Sequence, residues 1–316
     1  MTLDQLRTFR AVAQLKSFTR AAERLHLTQP AVSAQIVALE KEFNVKLFDR
    51  IGKKIALTEG GTLVLESAEG ILRHIEETRQ ALEDLEGLAR GTVCLGASIV
   101  VGIYLLPEIL GRFKKKYPPI NLVLRTDYAR HIVELVLANR VDLGIIGEGT
   151  PINDERLIVE PFAEDEFVVI VPKNHPWAKR QSVSPAELAR QSFIIPEKGS
   201  STQASGVRFL ESQGIQLNVT MELGNVEGVK KAVEAGLGIS LVSRCAIMKE
   251  AEANRLKALQ LSGLGLQRNL SFVWRKGKHF SRATHAFIDF FLTYLNTNKG
   301  ASPKPTRANL TALKEE

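Results

Sequence analysis

Thr28, Gln29, Pro30, Ser33 and Gln35 fall within eight residues of one another, and their side chains suit recognition chemistry at the edges of nucleic-acid bases. A glutamine amide can pair with two atoms of adenine, a serine hydroxyl can donate or accept, and a proline ring offers apolar contact to a thymine methyl. Thr28 reads first as a helix N-cap and second as a phosphate donor; the bland alternative for the Gln and Ser residues is a solvated helix face. Arg50, Lys53 and Lys54 follow, cations placed to neutralise phosphates, where each lost contact flattens the salt dependence of binding by roughly one unit. A second group lies further on. Ser98 ends a strand-like run, Gly199-Ser200-Ser201-Thr202 opens a helical pattern, Asn225 precedes another, and Glu148 sits between two glycines after an apolar run. Hydroxyls at helix N-termini hold anions, and α/β sheets bind ligands at their carboxyl edge. Each of Ser98, Ser201, Thr202 and Asn225 also reads as a plain cap, and Glu148 as a surface carboxylate.

The first group needs a helix to present it. Leu3, Leu6, Phe9 and Ala13 recur at helical steps, Ser17 caps a second helix carrying Ala21, Ala22 and Leu25, and Thr28 with Pro30 in the first turn starts a third. Two short helices joined by a tight turn read as helix-turn-helix, with the second as reader. Val45 to Arg50 and Ile55 to Leu57 flank Gly52-Lys53-Lys54 as a two-stranded wing with a basic tip. Val64, Ala68, Ile71, Ile75, Thr78, Leu82, Leu85 and Ala89 then form a heptad seam. A helix over 60–89 would extend roughly 45 Å at about 1.5 Å per residue and pair with a second chain; the alternative is a helix packed on its own domain.

From Thr92 onward strand-like and helix-like patterns alternate twice, which predicts two similar lobes built on a parallel α/β sheet. Leu157 to Pro172 reads as an extended connection, with Phe167 to Val171 and Leu270 to Trp274 placed for the chain to cross between lobes. The expected division is a winged helix-turn-helix over 1–58, a linker helix over 59–90, a two-lobed domain over 91–295 and a flexible tail over 296–316. Lobe one takes about 91–162 and 267–295, and lobe two about 163–266.

Charge follows the same division. Residues 1–58 carry ten Lys and Arg against five acids, and 59–90 carry three against eight. The net charge of +7 and pI near 9.4 fit a polyanionic partner. The apolar runs are strand-sized and no secretory pattern opens the chain, so a cytoplasmic protein without a membrane span is expected. Two cysteines far apart argue for neither a disulfide framework nor a metal knuckle. Six histidines show no metal-ligand spacing, Val100 stands where a nucleophile elbow after Ser98 needs glycine, and no phosphate loop exists. An enzyme or a bound cofactor is not expected.

Phe18-Thr19-Arg20-Ala21-Ala22-Glu23-Arg24-Leu25 through Thr28-Gln29-Pro30-Ala31-Val32-Ser33 to Leu47-Phe48-Asp49-Arg50 resembles the LysR-type transcriptional regulator family. Leu57-Thr58-Glu59-Gly60-Gly61, Val141-Asp142-Leu143-Gly144-Ile145 and Ala235-Gly236-Leu237-Gly238-Ile239 extend the resemblance along essentially all of 1–295. It implies a homodimer or homotetramer on double-stranded promoter DNA, with RNA polymerase as a further partner. It also implies a small co-inducer in a cleft between periplasmic-binding-protein-like lobes, with Ser98, Ser201 and Thr202 facing one another across it. Ala34 stands where many relatives carry a longer polar or basic side chain, which puts one base contact in doubt. The wording around Asn225 to Val233 looks most like regulators of carbon, sulfur or nitrogen assimilation, so a carboxylate, phosphate ester or sulfur oxyanion is expected. The rival is a solute-binding protein that captures ligands for transport, which would have no use for the basic head.

Overall fold

The computed structural model describes residues 1–51, 54–84, 91–147, 149, 152–197, 199–200, 203–297 and 304–305. They divide into two compact units, residues 1–88 with 138–140, and 89–137 with 141–316.

In the first unit, α1 (Leu3–Leu15) starts at Thr2, whose hydroxyl accepts from the Gln5 N–H while the Gln5 side chain accepts from the Thr2 N–H. This reciprocal capping satisfies two N–H groups that the first turn leaves without helical partners. Ser17 caps α2 (Phe18–Leu25) through the Arg20 N–H, and Thr28 caps α3 (Gln29–Phe43). All three helices end on a left-handed residue, Lys16, His26 and Asn44. The strands β1 (Phe48–Ile51) and β2 (Lys54–Leu57) pair antiparallel as the wing. Leu6, Phe9, Val12, Val32, Ile36, Leu39 and Leu47 bury together in the core. Phe43, the last residue of α3, stays 43% exposed.

The helix α4 (Glu59–Asp84) is 26 residues long. Thr58 caps it, donating to the Lys46 carbonyl at 2.6 Å and accepting from Gly61 N–H at 2.8 Å. Gly61 is required there, because a Cβ would collide with the Leu47 carbonyl oxygen. The predicted seam splits. Ala68 and its neighbour Leu72 bury in the core of the head, while Ile71 remains exposed. Ala68 therefore follows the alternative reading, a helix packed on its own domain. Leu85 and Ala89 lie outside the described residues.

The second unit begins with β3 (Gly91–Ser98), a π turn over Val101–Leu105, α5 (Leu106–Lys116), β4 (Ile120–Asp127), α6 (Ala129–Leu137) and β5 (Leu143–Gly147). The strands β4, β3 and β5 are parallel. The 16-residue β6 (Leu157–Pro172) then spans both lobes. Lobe two continues with β7 (Ser182–Val183), α7 (Pro185–Leu188), β8 (Ser192–Pro196), a π turn over Gln203–Val207, α8 (Arg208–Ser212), β9 (Asn218–Leu223) and α9 (Val226–Glu234). After β10 (Ser240–Ser243), a 3-10 turn, α10 (Met248–Glu252) and β11 (Leu256–Leu261), the chain returns through β12 (Gln267–Arg275) to α11 (Arg282–Thr297) in lobe one.

The sheet is mixed rather than parallel throughout, since β12 runs antiparallel to β5 and β6, and β10 and β11 antiparallel to β6. Antiparallel returns are what let two strands cross between lobes. Beyond α11 the expected tail contributes β13 (Lys304–Pro305), which pairs with β6 at Glu164 and Ala163. At the junction of the lobes the buried Asp165 accepts from Arg268 Nε at 3.0 Å and Ser243 Oγ at 2.8 Å. The Arg268 guanidinium also lies 5.0 Å from the centre of the Phe167 ring. A Cβ at Gly147 would press on that guanidinium and force it to shift.

Candidate functional site

The first site lies on the exposed side of α3. Val32, Ile36 and Leu39 turn inward, so Pro30, Ala34 and Val37 face outward, with Thr28 and Gln29 exposed at the N-terminal end. Thr28 Oγ1 accepts from Ala31 N–H at 3.4 Å, while Gln29 Nε2 donates to Ser33 Oγ at 3.0 Å. This bond holds the two polar side chains together one turn apart. Gln35 has a structural partner as well. Its Oε1 receives the hydroxyl of buried Thr8 at 2.6 Å, so it lies on the flank of α3 that faces α1. It ties those helices together from a half-buried position.

Arg50 lies on β1 opposite Ile55, and Lys54 opposite Ile51, which puts both at the tip end of the wing. Their side chains and all of Lys53 lie outside the described residues. Lys46 is fixed differently, pairing with Glu40 at 2.8 Å. Burial works to raise the Glu40 pKa, but Lys46 and the Leu47 N–H outweigh it and hold the carboxyl below its usual range.

The second site is a narrow cleft between the two lobes of the second unit. From lobe one it is lined by Ser98 and Val100 after β3 and by Tyr128 after β4; lobe two supplies Pro196, Ser200 and Asn225. These positions follow the carboxyl ends of parallel strands, where neighbouring connections part and leave a crevice. Ser98 is almost fully buried, and its Oγ accepts from Gly147 N–H at 3.0 Å. That bond leaves its hydroxyl proton to donate. Asn225 Oδ1 caps α9 through Gly228 N–H at 2.8 Å, and the residue also lines the cleft. Cap and cleft residue are therefore one and the same. Ser201, Thr202 and Glu148 lie outside the described residues.

Tyr128, Pro196 and Ser200 were missed as individual sites. Tyr128 and Pro196 stand at strand ends, the same signal that selected Ser98, and Ser200 lies inside the Gly199–Thr202 motif. Among the described residues the lining holds hydroxyls, an amide and apolar groups without a Lys or Arg. An anion there would be held by neutral donors and the N-terminal end of α9, whose orphan N–H groups carry partial positive charge.

The buried Cys245 offers no reactive centre. Burial, with Asp165 nearby, pushes the Cys245 thiol up to about 12, whereas thiol chemistry needs the thiolate. Among the described residues no group of three His, Cys, Asp or Glu side chains could hold a metal, and no helix is long and apolar enough to cross a membrane.

This architecture matches two family models. Residues 3–62 match the bacterial regulatory helix-turn-helix protein, lysR family, and residues 86–296 match the LysR substrate binding domain. The chain belongs to the LysR family of transcription regulators, DNA-binding proteins with an effector-binding domain and not enzymes. A probable RuBisCO transcriptional regulator from Cyanophora paradoxa is 40% identical over 296 residues, covering 92% of this chain and 91% of that one. A full-length OxyR variant from Pseudomonas aeruginosa shares the fold with a TM-score of 0.72 at 24% identity, covering 97% of this chain and 98% of that one. The CcmR regulatory domain from Synechocystis, solved in complex with 2-PG, has a TM-score of 0.59 at 28% identity and covers 65% of this chain and 97% of that one. The transport reading falls with the family assignment.

Proposed function

We propose that this protein regulates genes of carbon assimilation, and that its effector is a small phosphorylated carboxylate such as 2-phosphoglycolate bound in the inter-lobe cleft. The observation that carries the reading is the cleft itself, where the Ser98 hydroxyl on one wall and the Asn225-capped start of α9 on the other supply donors of the kind an oxyanion takes up. The RuBisCO regulator of Cyanophora paradoxa and the 2-PG complex of CcmR support the choice of anion. Ser201, Thr202 and Glu148 belong to the proposed effector set by their place in sequence.

On the DNA side, Gln29, Pro30 and Ser33 read base edges, while Thr28, Arg50, Lys53 and Lys54 contact phosphates. Gln35 belongs to the same DNA-contacting set and also braces α3 against α1. The protein acts in the cytoplasm as a homodimer or homotetramer, and contacts RNA polymerase from its promoter site. Pairing through the exposed Leu63 and Ile71 of α4 fits this assembly, because apolar side chains on a long helix bury best against a second copy.

The test is calorimetry and thermal shift with 2-phosphoglycolate. A ligand at 100 times its Kd stabilises the native state by about 2.7 kcal/mol, and that gain should shrink sharply in Ser98→Ala and Asn225→Ala. An undiminished gain in both variants would remove the cleft as the site.

A further inference from the structure

Tyr104 belongs to lobe one by sequence and topology, since it lies on the π turn that leads from β3 into α5. Its side chain, however, packs into lobe two. Val100 and Tyr104 both join the apolar cluster of Val226, Val229, Val233 and Ile247. The Tyr104 hydroxyl donates to Glu227 Oε1 at 2.5 Å. The same oxygen meets Lys230 Nζ at 2.7 Å, and that ammonium lies 4.5 Å from the centre of the Tyr104 ring.

Lys230 is itself buried, donating to the Ala246 carbonyl at 2.9 Å and to Glu250 at 3.0 Å. A cation so placed is anchored within lobe two, and a buried charge must keep its partners. Burial and the Glu227 carboxylate push the Tyr104 phenol well above its usual range, so it remains a donor. Lobe two thus holds a fixed ion pair, and lobe one inserts a ring and a hydroxyl into it.

The two segments joined in this way are also the walls of the cleft. Ser98 to Val100 lead directly into the π turn that carries Tyr104, and Asn225 and Val226 begin the helix that carries Glu227 and Lys230. We infer that Tyr104 is a positioning residue, a cross-lobe latch onto Glu227 and Lys230 that holds the cleft walls together and sets how readily the lobes part. It touches no ligand. Its effect on effector response rests on the reading of the cleft given above, whereas its effect on lobe opening does not.

The experiment is hydrogen exchange on the full-length chain, comparing wild type with Tyr104→Phe and Glu227→Gln, first without ligand and then with 2-phosphoglycolate. Tyr104→Phe keeps the ring and removes only the hydroxyl. Without ligand, exchange should accelerate on the order of tenfold in 98–105 and 226–234, the size expected for losing one hydrogen bond to a charged acceptor. The cores of both lobes should stay protected. Unchanged exchange in both segments would overturn the latch, and so would a uniform rise across both lobes, which would mark a merely structural role. With ligand, the variants should need about tenfold more 2-phosphoglycolate for half-maximal protection. Wild type that ignores 2-phosphoglycolate would sink the effector reading and leave the ligand-free comparison to decide the latch.

Discussion

The two lobes repeat one plan with different interiors. In lobe one, Phe113, Phe162, Phe272, Phe287 and Phe291 pack ring against ring, several of them edge to face. The lobe-two cluster beside the cleft is built instead from Val168, Ile170, Ile194, Val229 and Val233, and takes in Val100 and Tyr104 from the other lobe. Aromatic contacts favour particular mutual angles, so the first interior fixes its own geometry. An aliphatic cluster that borrows two side chains across the cleft has a boundary it can release. The difference places the movable seam at the cleft-side cluster of lobe two.

The largest effect that could break this contrast is Phe291→Ala, which should cost about 3–5 kcal/mol and lower the urea midpoint of the whole second unit. A loss confined to the cleft segments would contradict the rigid-platform view. Ile194→Val in the aliphatic cluster should cost only about 0.5–1.5 kcal/mol, while disturbing exchange at 98–105 more than in the lobe-one core.

The smallest effect is a pH dependence. Burial works to raise the Glu227 pKa, but Lys230, Tyr104 and Lys231 together hold it below the ordinary value of 4.5. A carboxyl with a depressed folded pKa contributes stability that is present above its unfolded value and is lost as pH falls through the folded one. Acidification below about pH 4.5 should therefore loosen the cleft segments before the lobe-one core, and Glu227→Gln should flatten that response. Equal loosening of both lobes would erase the distinction.

Much of this organisation is legible in the sequence because it follows local rules. Ser17 and Thr28 cap where hydroxyl residues precede apolar periodicity, and Leu157–Pro172 reads as extended over the span that β6 occupies. The remainder depends on which neighbour each element finds. Spacing places Ala68 and Ile71 on one helix but does not say that Ala68 meets its own head. The sequence does not show that Gln35 also meets Thr8, 27 residues earlier. An apolar pattern does not distinguish a π turn from the first turn of α5, nor strand direction, so the alternation that suggests a parallel sheet does not reveal that β10 runs antiparallel to β6. In the cleft, the rule about strand ends finds Ser98, while Tyr104 is invisible because its partners lie more than a hundred residues away.

The length of β6 has an evolutionary corollary. One strand supplies pairing edges to both lobes, and beyond the irregularity at Phe162 its side chains alternate between faces. Inserting or deleting one residue near Glu164 would turn every later side chain of the strand to the opposite face, so that Val168 and Ile170 would exchange places with Phe167, Val169 and Val171. A surface connection such as 173–181 tolerates a change of length that this half of the strand tolerates only with a compensating bulge.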